Sequence, residues 1–106
     1  MTTPTALRPG LRLRSQTCST EVIVVRAGAG SVDLTCGGRP MIDHGADPAA
    51  LEPVPGLAGG NQVGKRYTAQ ADPTVELLVT KAGAGTLADG DVPLIVKTAK
   101  PLPSSD

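Results

Sequence analysis

Twelve residues at 21–32, EVIVVRAGAGSV, recur without a gap at 76–87 as ELLVTKAGAGTL, and this recurrence limits the possible folds more than anything else in the chain. Six of the pairs are identical, and Val22/Leu77, Ile23/Leu78, Arg26/Lys81, Ser31/Thr86 and Val32/Leu87 keep their chemistry. The shared AGAG is low in complexity, so the flanks carry the case. Gly10-x-Arg12 corresponds to Gly64-x-Arg66, Thr20 to Thr74, and Pro40-Met41-Ile42 to Pro93-Leu94-Ile95. The chain reads as a tandem duplication: one repeat over 10–45, a Pro/Gly-rich linker over 46–63, a second repeat over 64–99, and tails at 1–9 and 100–106. Units below roughly 40 residues rarely bury enough apolar surface alone, so the repeats are expected to pack on each other.

Each repeat contains a short aliphatic run, 22–25 or 77–79, of the kind that forms a strand buried between two layers. The AGAG that follows tolerates positive φ and predicts a reversal into a second strand at 31–35 or 86–88. Each repeat is therefore expected to be a β-hairpin with flanking strands. Thirteen Gly and ten Pro in 106 residues favour turns over long helices, which makes the expected class all-β. The linker holds Pro48, Pro53, Pro55, Gly56, Gly59 and Gly60 and reads as a surface crossing. Both tails are expected to fray.

Composition removes several functions. Tyr67 is the single aromatic residue, which speaks against nucleic-acid binding by base stacking. Ten basic and ten acidic residues cancel, leaving no net field for a polyanion or an anionic membrane. No apolar run approaches the roughly 20 residues of a membrane span, and the first ten residues lack the pattern of a secretion signal. Two cysteines, Cys18 and Cys36, are too few for a disulfide scaffold and suit thiols kept reduced, so the expected location is cytoplasmic.

Written as Gly-x-Arg, Cys-x-x-Glu-Val, Gly-x-Gly and Cys-Gly-Gly-x-Pro-Met, the first repeat resembles desulforedoxin and the similar N-terminal domain of desulfoferrodoxins. The resemblance implies a small rubredoxin-like β module that holds one tetrahedral Fe(Cys)₄ centre and pairs as a homodimer. Two copies in one chain would form an intrachain pseudo-dimer. The four ligand positions fall on Ser15, Cys18, Cys36 and Gly37 in the first repeat, and on Ala69, Asp72, Asp89 and Gly90 in the second. Thiolates select iron or zinc at such a site, and Gly or Ala offers no side-chain donor. An intact iron centre is therefore not expected in either repeat.

If the fold is kept, Cys18 and Cys36 converge from two different turns. Two thiolates sharing a metal at ~2.3 Å each would lie roughly 4 Å apart, close enough to bridge after small adjustment. Three outcomes stay open: inert thiols, a redox-sensitive disulfide, or a zinc or iron site with outside help. That help could come from His44 with Asp43, or from a second chain contributing its own Cys18 and Cys36. Asp72 and Asp89 could form a carboxylate pair, although Asp72-Pro73 and Asp89-Gly90 are also ordinary turn dipeptides. The GxxxxGK match at 59–65 has Arg66 where Ser or Thr belongs and reads as a turn. No Ser/His/Asp set is present, so an enzyme with its own substrate is the third reading. Arg8, Arg12, Arg14 and Arg26 concentrate positive charge early, either as a solvated face or as a dock for an acidic partner. The leading expectation is a non-catalytic accessory or interaction subunit, with a protein partner, a larger enzyme or a second copy bound to it. A thiol or metal module using Cys18 and Cys36 is the alternative.

Overall fold

A computed structural model describes residues 7–28, 32–70 and 72–97. The described residues form ten β-strands and no helix, so none is long and apolar enough to cross a membrane. The first five strands are β1 (Arg12–Arg14), β2 (Glu21–Ala27), β3 (Leu34–Cys36), β4 (Arg39–Pro40) and β5 (Ile42–Asp43). After a long strandless crossing come β6 (Arg66–Thr68), β7 (Val75–Lys81), β8 (Leu87–Asp89), β9 (Val92–Pro93) and β10 (Ile95–Val96). All pairing is antiparallel and yields two sheets, one ordered β10-β6-β7-β2-β1-β5 and one ordered β4-β3-β8-β9.

The registers of the two halves correspond pair by pair. In the first, Leu13 faces Val22 and Asp43, while in the second Tyr67 faces Leu77 and Val96. Where the halves meet, Val22 pairs with Val79 and Val24 with Leu77, on either side of the Ile23–Leu78 pair. In the smaller sheet Leu34 pairs with Asp89 and Cys36 with Leu87, around Thr35–Ala88. The inward side chains Leu13, Val22, Val24, Leu77 and Val79 are at most 1 % exposed and join Leu34, Met41, Leu87 and Leu94 in one apolar cluster. Each such side chain contributes roughly 1.5–3 kcal/mol on burial, so neither half is covered without the other.

Three expectations change. The AGAG turn does not fold β2 back onto β3: β2 lies in the six-stranded sheet and β3 in the four-stranded one. The true hairpins are β1–β2, β3–β4, β6–β7 and β8–β9, because the long strands are taken up by each other across the centre. The β3–β4 turn is Gly37-Gly38, both at positive φ (67° and 82°), which suits a two-residue hairpin loop. The second strands begin later than expected, and Ser31 lies outside the described residues, as do 1–6 and 98–106. Finally, the N-terminal tail is anchored at its end, since Leu7 is buried in the core cluster.

The crossing over 46–63 carries no strand but is tied down along its length. Leu51 donates its backbone N–H to Gln16 (2.7 Å), Val54 to Gly37 (2.8 Å) and Asn61 to Gly83 (3.2 Å), while Thr86 donates to Leu57 (2.9 Å). It lies against the loop that holds Cys18 and the turn that follows Cys36.

Candidate functional site: a cysteine pair beneath a glycine loop

Cys18 sits in the loop joining β1 to β2, which the Ser15 N–H closes on the Thr20 carbonyl at 2.9 Å. The Ser15 hydroxyl oxygen accepts from the backbone N–H groups of Thr17 (3.0 Å) and Cys18 (3.2 Å), a local pattern that lets Ser nucleate a turn. Cys36 ends β3, fully buried, just before the Gly37-Gly38 turn. The two Sγ atoms are 3.8 Å apart, so the convergence expected from the sequence is present.

The remaining positions of the implied iron centre do not fit a metal. Ser15 is buried and committed to its own turn. At Gly37, a side chain would collide with Thr17, whose hydroxyl donates to the Cys36 carbonyl at 3.3 Å. Among the described residues no group of three or more His, Cys, Asp or Glu could hold an ion. Two sulfurs stand, among the described residues, without the third and fourth donors a tetrahedral site needs.

What covers the sulfurs is the second half's AGAG loop. The Gly85 N–H donates to Cys18 Sγ at 3.3 Å. A Cβ built on Gly85 would lie 2.8 Å from Cys36 Sγ and 3.2 Å from Cys18 Sγ, and one on Gly83 would lie 2.8 Å from Cys18 Sγ. Only glycine permits an approach this close. Asn61, from the crossing, fixes that loop: its side-chain amide donates to the Gly85 carbonyl (2.9 Å) and to the Thr20 hydroxyl (2.7 Å), and its carbonyl oxygen accepts from Gly83 N–H (3.3 Å). The Thr20 hydroxyl in turn is 3.1 Å from Cys18 Sγ.

The pair is electrostatically unequal. Burial opposes ionisation of Cys18, but hydrogen bonds with the Ser15 and Thr20 hydroxyls and with the Thr20 and Gly85 backbones outweigh it and lower the pKa to about 6. Burial pushes Cys36 up to about 11, against the help of Ser15 and with the added repulsion of an ionised Cys18. One thiolate resides on the partly exposed sulfur, and one thiol on the buried one. Beside Cys18 opens a cleft of about 300 Å³ lined by Ser15, Gln16, Thr17, Pro48, Ala50 and Leu51.

The other candidates lie elsewhere. His44 Nε2 is 2.9 Å from Glu21, in a separate cleft whose lining includes neither cysteine, and Asp43 accepts from the Gly45 N–H at 2.9 Å. Asp72 accepts from the backbone N–H (3.1 Å) and the hydroxyl of Thr74, and Asp89 accepts from Asp33 N–H at 3.0 Å. Asp43 and Asp72 organise local turns, and Asp89 ties its strand to Asp33 of the first half. Sequence reading missed Asn61, Gly83 and Gly85: the repeated AGAG is the only signal of the two glycines and says nothing of which loop it covers, and Asn61 carries no signal in a segment that reads as a linker.

Comparison with protein-family models, curated proteins and solved structures found no match, so the chemistry of the site rests on its own residues.

Proposed function

We propose that this chain is a degenerate, duplicated desulforedoxin-like module in which the first repeat's metal site has become a redox-active thiol pair. The observation that carries it is the 3.8 Å approach of Cys18, from a loop, and Cys36, from the end of β3, with no metal-holding group of three or more His, Cys, Asp or Glu among the described residues. A disulfide needs sulfurs at ~2.05 Å, so closing the bond asks for side-chain rotation and small loop shifts. In the reaction two thiols lose two protons and two electrons to a disulfide acceptor, which is reduced to two thiols. The corresponding registers of the halves support the pseudo-dimer within this reading. A cytoplasmic setting, where thiols are kept reduced between turnovers, suits it.

The test is oxidation of the full chain by a low-molecular-weight disulfide, followed by intact-mass and free-thiol measurement. A monomer that loses both thiols and two hydrogens is expected. Two lasting adducts would overturn the reading, as would stoichiometric zinc or iron bound by paired chains in the purified protein.

An accessory or interaction role is the second reading, favoured by apolar side chains left in solvent on the outer strands of the second half, Val92 at 46 % and Ile95 at 49 % exposure. It is compatible with a redox pair, which would then report on the partner.

A further inference from the structure

We propose that the pair works in one direction, Cys18 attacking and Cys36 resolving, on a small uncharged disulfide seated in the cleft beside Cys18, with Asn61 as the positioning residue. The proposal rests on the redox reading above and adds roles and a substrate class.

Access fixes the order. Cys36 is 0 % exposed, behind Cys18 and the Gly85 backbone, whereas Cys18 borders the cleft. An incoming disulfide meets only Cys18. The cleft lining contains no charged side chain, and its volume of about 300 Å³ is at the lower end for small-molecule sites.

Hydrogen-bond directions around Thr20 explain why Cys18 is the thiolate. Gly83 N–H faces one end of the Asn61 amide, so that end is the oxygen and the other end donates to Thr20. The Thr20 oxygen accepts that bond, which leaves its own hydrogen available to a Cys18 thiolate 3.1 Å away. Asn61 also holds the Gly85 carbonyl, which aims the Gly85 N–H at the same sulfur. One side chain thus orients two of the donors that favour the charged form.

In the first step, Cys18 thiolate attacks one sulfur of R–S–S–R. A Cys18–S–R bond forms and RS⁻ leaves. In the second, the Cys36 thiol gives its proton to the first RS⁻ and attacks Cys18 Sγ, forming the Cys18–Cys36 bond and expelling the second RS⁻, which takes from solvent the proton Cys18 had released on ionising, so two thiols of R balance the two lost by the protein. A dithiol reductant reverses the cycle.

The experiment uses the full chain and dithiodipyridine, a small neutral chromogenic disulfide. Wild type should release two equivalents of thiopyridone and end as an internal disulfide. Cys36→Ser should release one equivalent quickly and keep the adduct, and Cys18→Ser should react at least ~100-fold more slowly until denatured. Leu51→Trp should slow dithiodipyridine but leave alkylation by iodoacetamide unchanged. Asn61→Asp keeps the shape but accepts from Thr20, so the pH midpoint of Cys18 alkylation should rise by about one unit. A Cys36 that reacts as fast as Cys18, or an unmoved midpoint in Asn61→Asp, overturns the roles while the internal disulfide of wild type upholds the redox reading. Two stable adducts on wild type sink both.

Discussion

Corresponding positions in the two halves share a frame and differ in what they hold. Gly83 of the second half covers Cys18 and Thr20 of the first, and Gly28 of the first covers Asp72 and Thr74 of the second. Cys18 corresponds to Asp72, Cys36 to Asp89, Glu21 to Glu76 and His44 to Lys97. The first half carries soft sulfur at these positions. The second carries carboxylates there and has a more deeply buried ion pair on its sheet. The comparison teaches that strand pairing and the glycine crossover hold the frame, so the loops are free to change chemistry.

The largest effect should come from the glycines at which each half covers the other. A Cβ at Gly83 would lie 2.5 Å from Thr20 Oγ1 and 2.8 Å from Cys18 Sγ, and one at Gly28 would lie 2.6 Å from both Asp72 Oδ2 and Thr74 Oγ1. Gly83→Ala and Gly28→Ala should each cost about 1–3 kcal/mol by urea unfolding, the usual range for overpacking. Only Gly83→Ala should also slow alkylation of Cys18, because only there does the added methyl displace a donor to sulfur. Equal effects on Cys18 from both variants would erase the functional contrast between the halves.

The ion pairs give a smaller, pH-dependent contrast. Glu76 is 3 % exposed, with Lys97 at 2.7 Å and Arg66 at 3.0 Å, while Glu21 is 23 % exposed and faces His44 alone among the ion pairs described. The hydrogen bond from Lys97 and the charges of Lys97, Arg66 and Arg26 outweigh burial and hold Glu76 below its ordinary value of 4.5. A depressed carboxyl contributes stability above its unfolded value and loses it as pH falls through the folded one. Urea midpoints measured from neutral pH to about pH 3 should therefore fall, and part of that fall should vanish in Glu76→Gln. At neutral pH that variant should cost about 1–2 kcal/mol, discounted because both cations are half in solvent, against under about 0.5 for Glu21→Gln.

Much of this frame was legible in the residues. The strands themselves follow from the aliphatic runs, although Ile23 and Leu78 are only half-buried where the runs suggested cover on both faces, and the Gly-Gly after Cys36 marks a tight turn. The role of AGAG was not, because a glycine run specifies freedom of φ and not the sheet in which the next strand finds its partner. Leu34 pairs with Asp89, 55 positions on in the chain, and local propensity carries no trace of that. The approach of the two cysteines was to be expected only on the desulforedoxin resemblance, and their asymmetry was not legible: Asn61, which holds the Thr20 hydroxyl beside Cys18, reaches it across 41 positions from a segment that reads as a plain linker.

The smallest effect on stability should come from the outer strands, where the halves differ in apolarity. Val92 and Ile95 are exposed at the positions where the first half has Arg39 and the half-buried Ile42. Neither side chain belongs to the core cluster, so Val92→Lys and Ile95→Lys together should move the urea midpoint by no more than about 0.5 kcal/mol equivalent. Exposed apolar side chains on short outer strands are nonetheless where another chain could pair or pack, and a lysine opposes that. If the accessory reading holds, sedimentation at increasing concentration should show weaker self-association, or weaker binding of a co-purifying partner, in the double variant than in wild type. An unchanged profile would leave the thiol pair, and not this edge, as the feature that sets the chain's function.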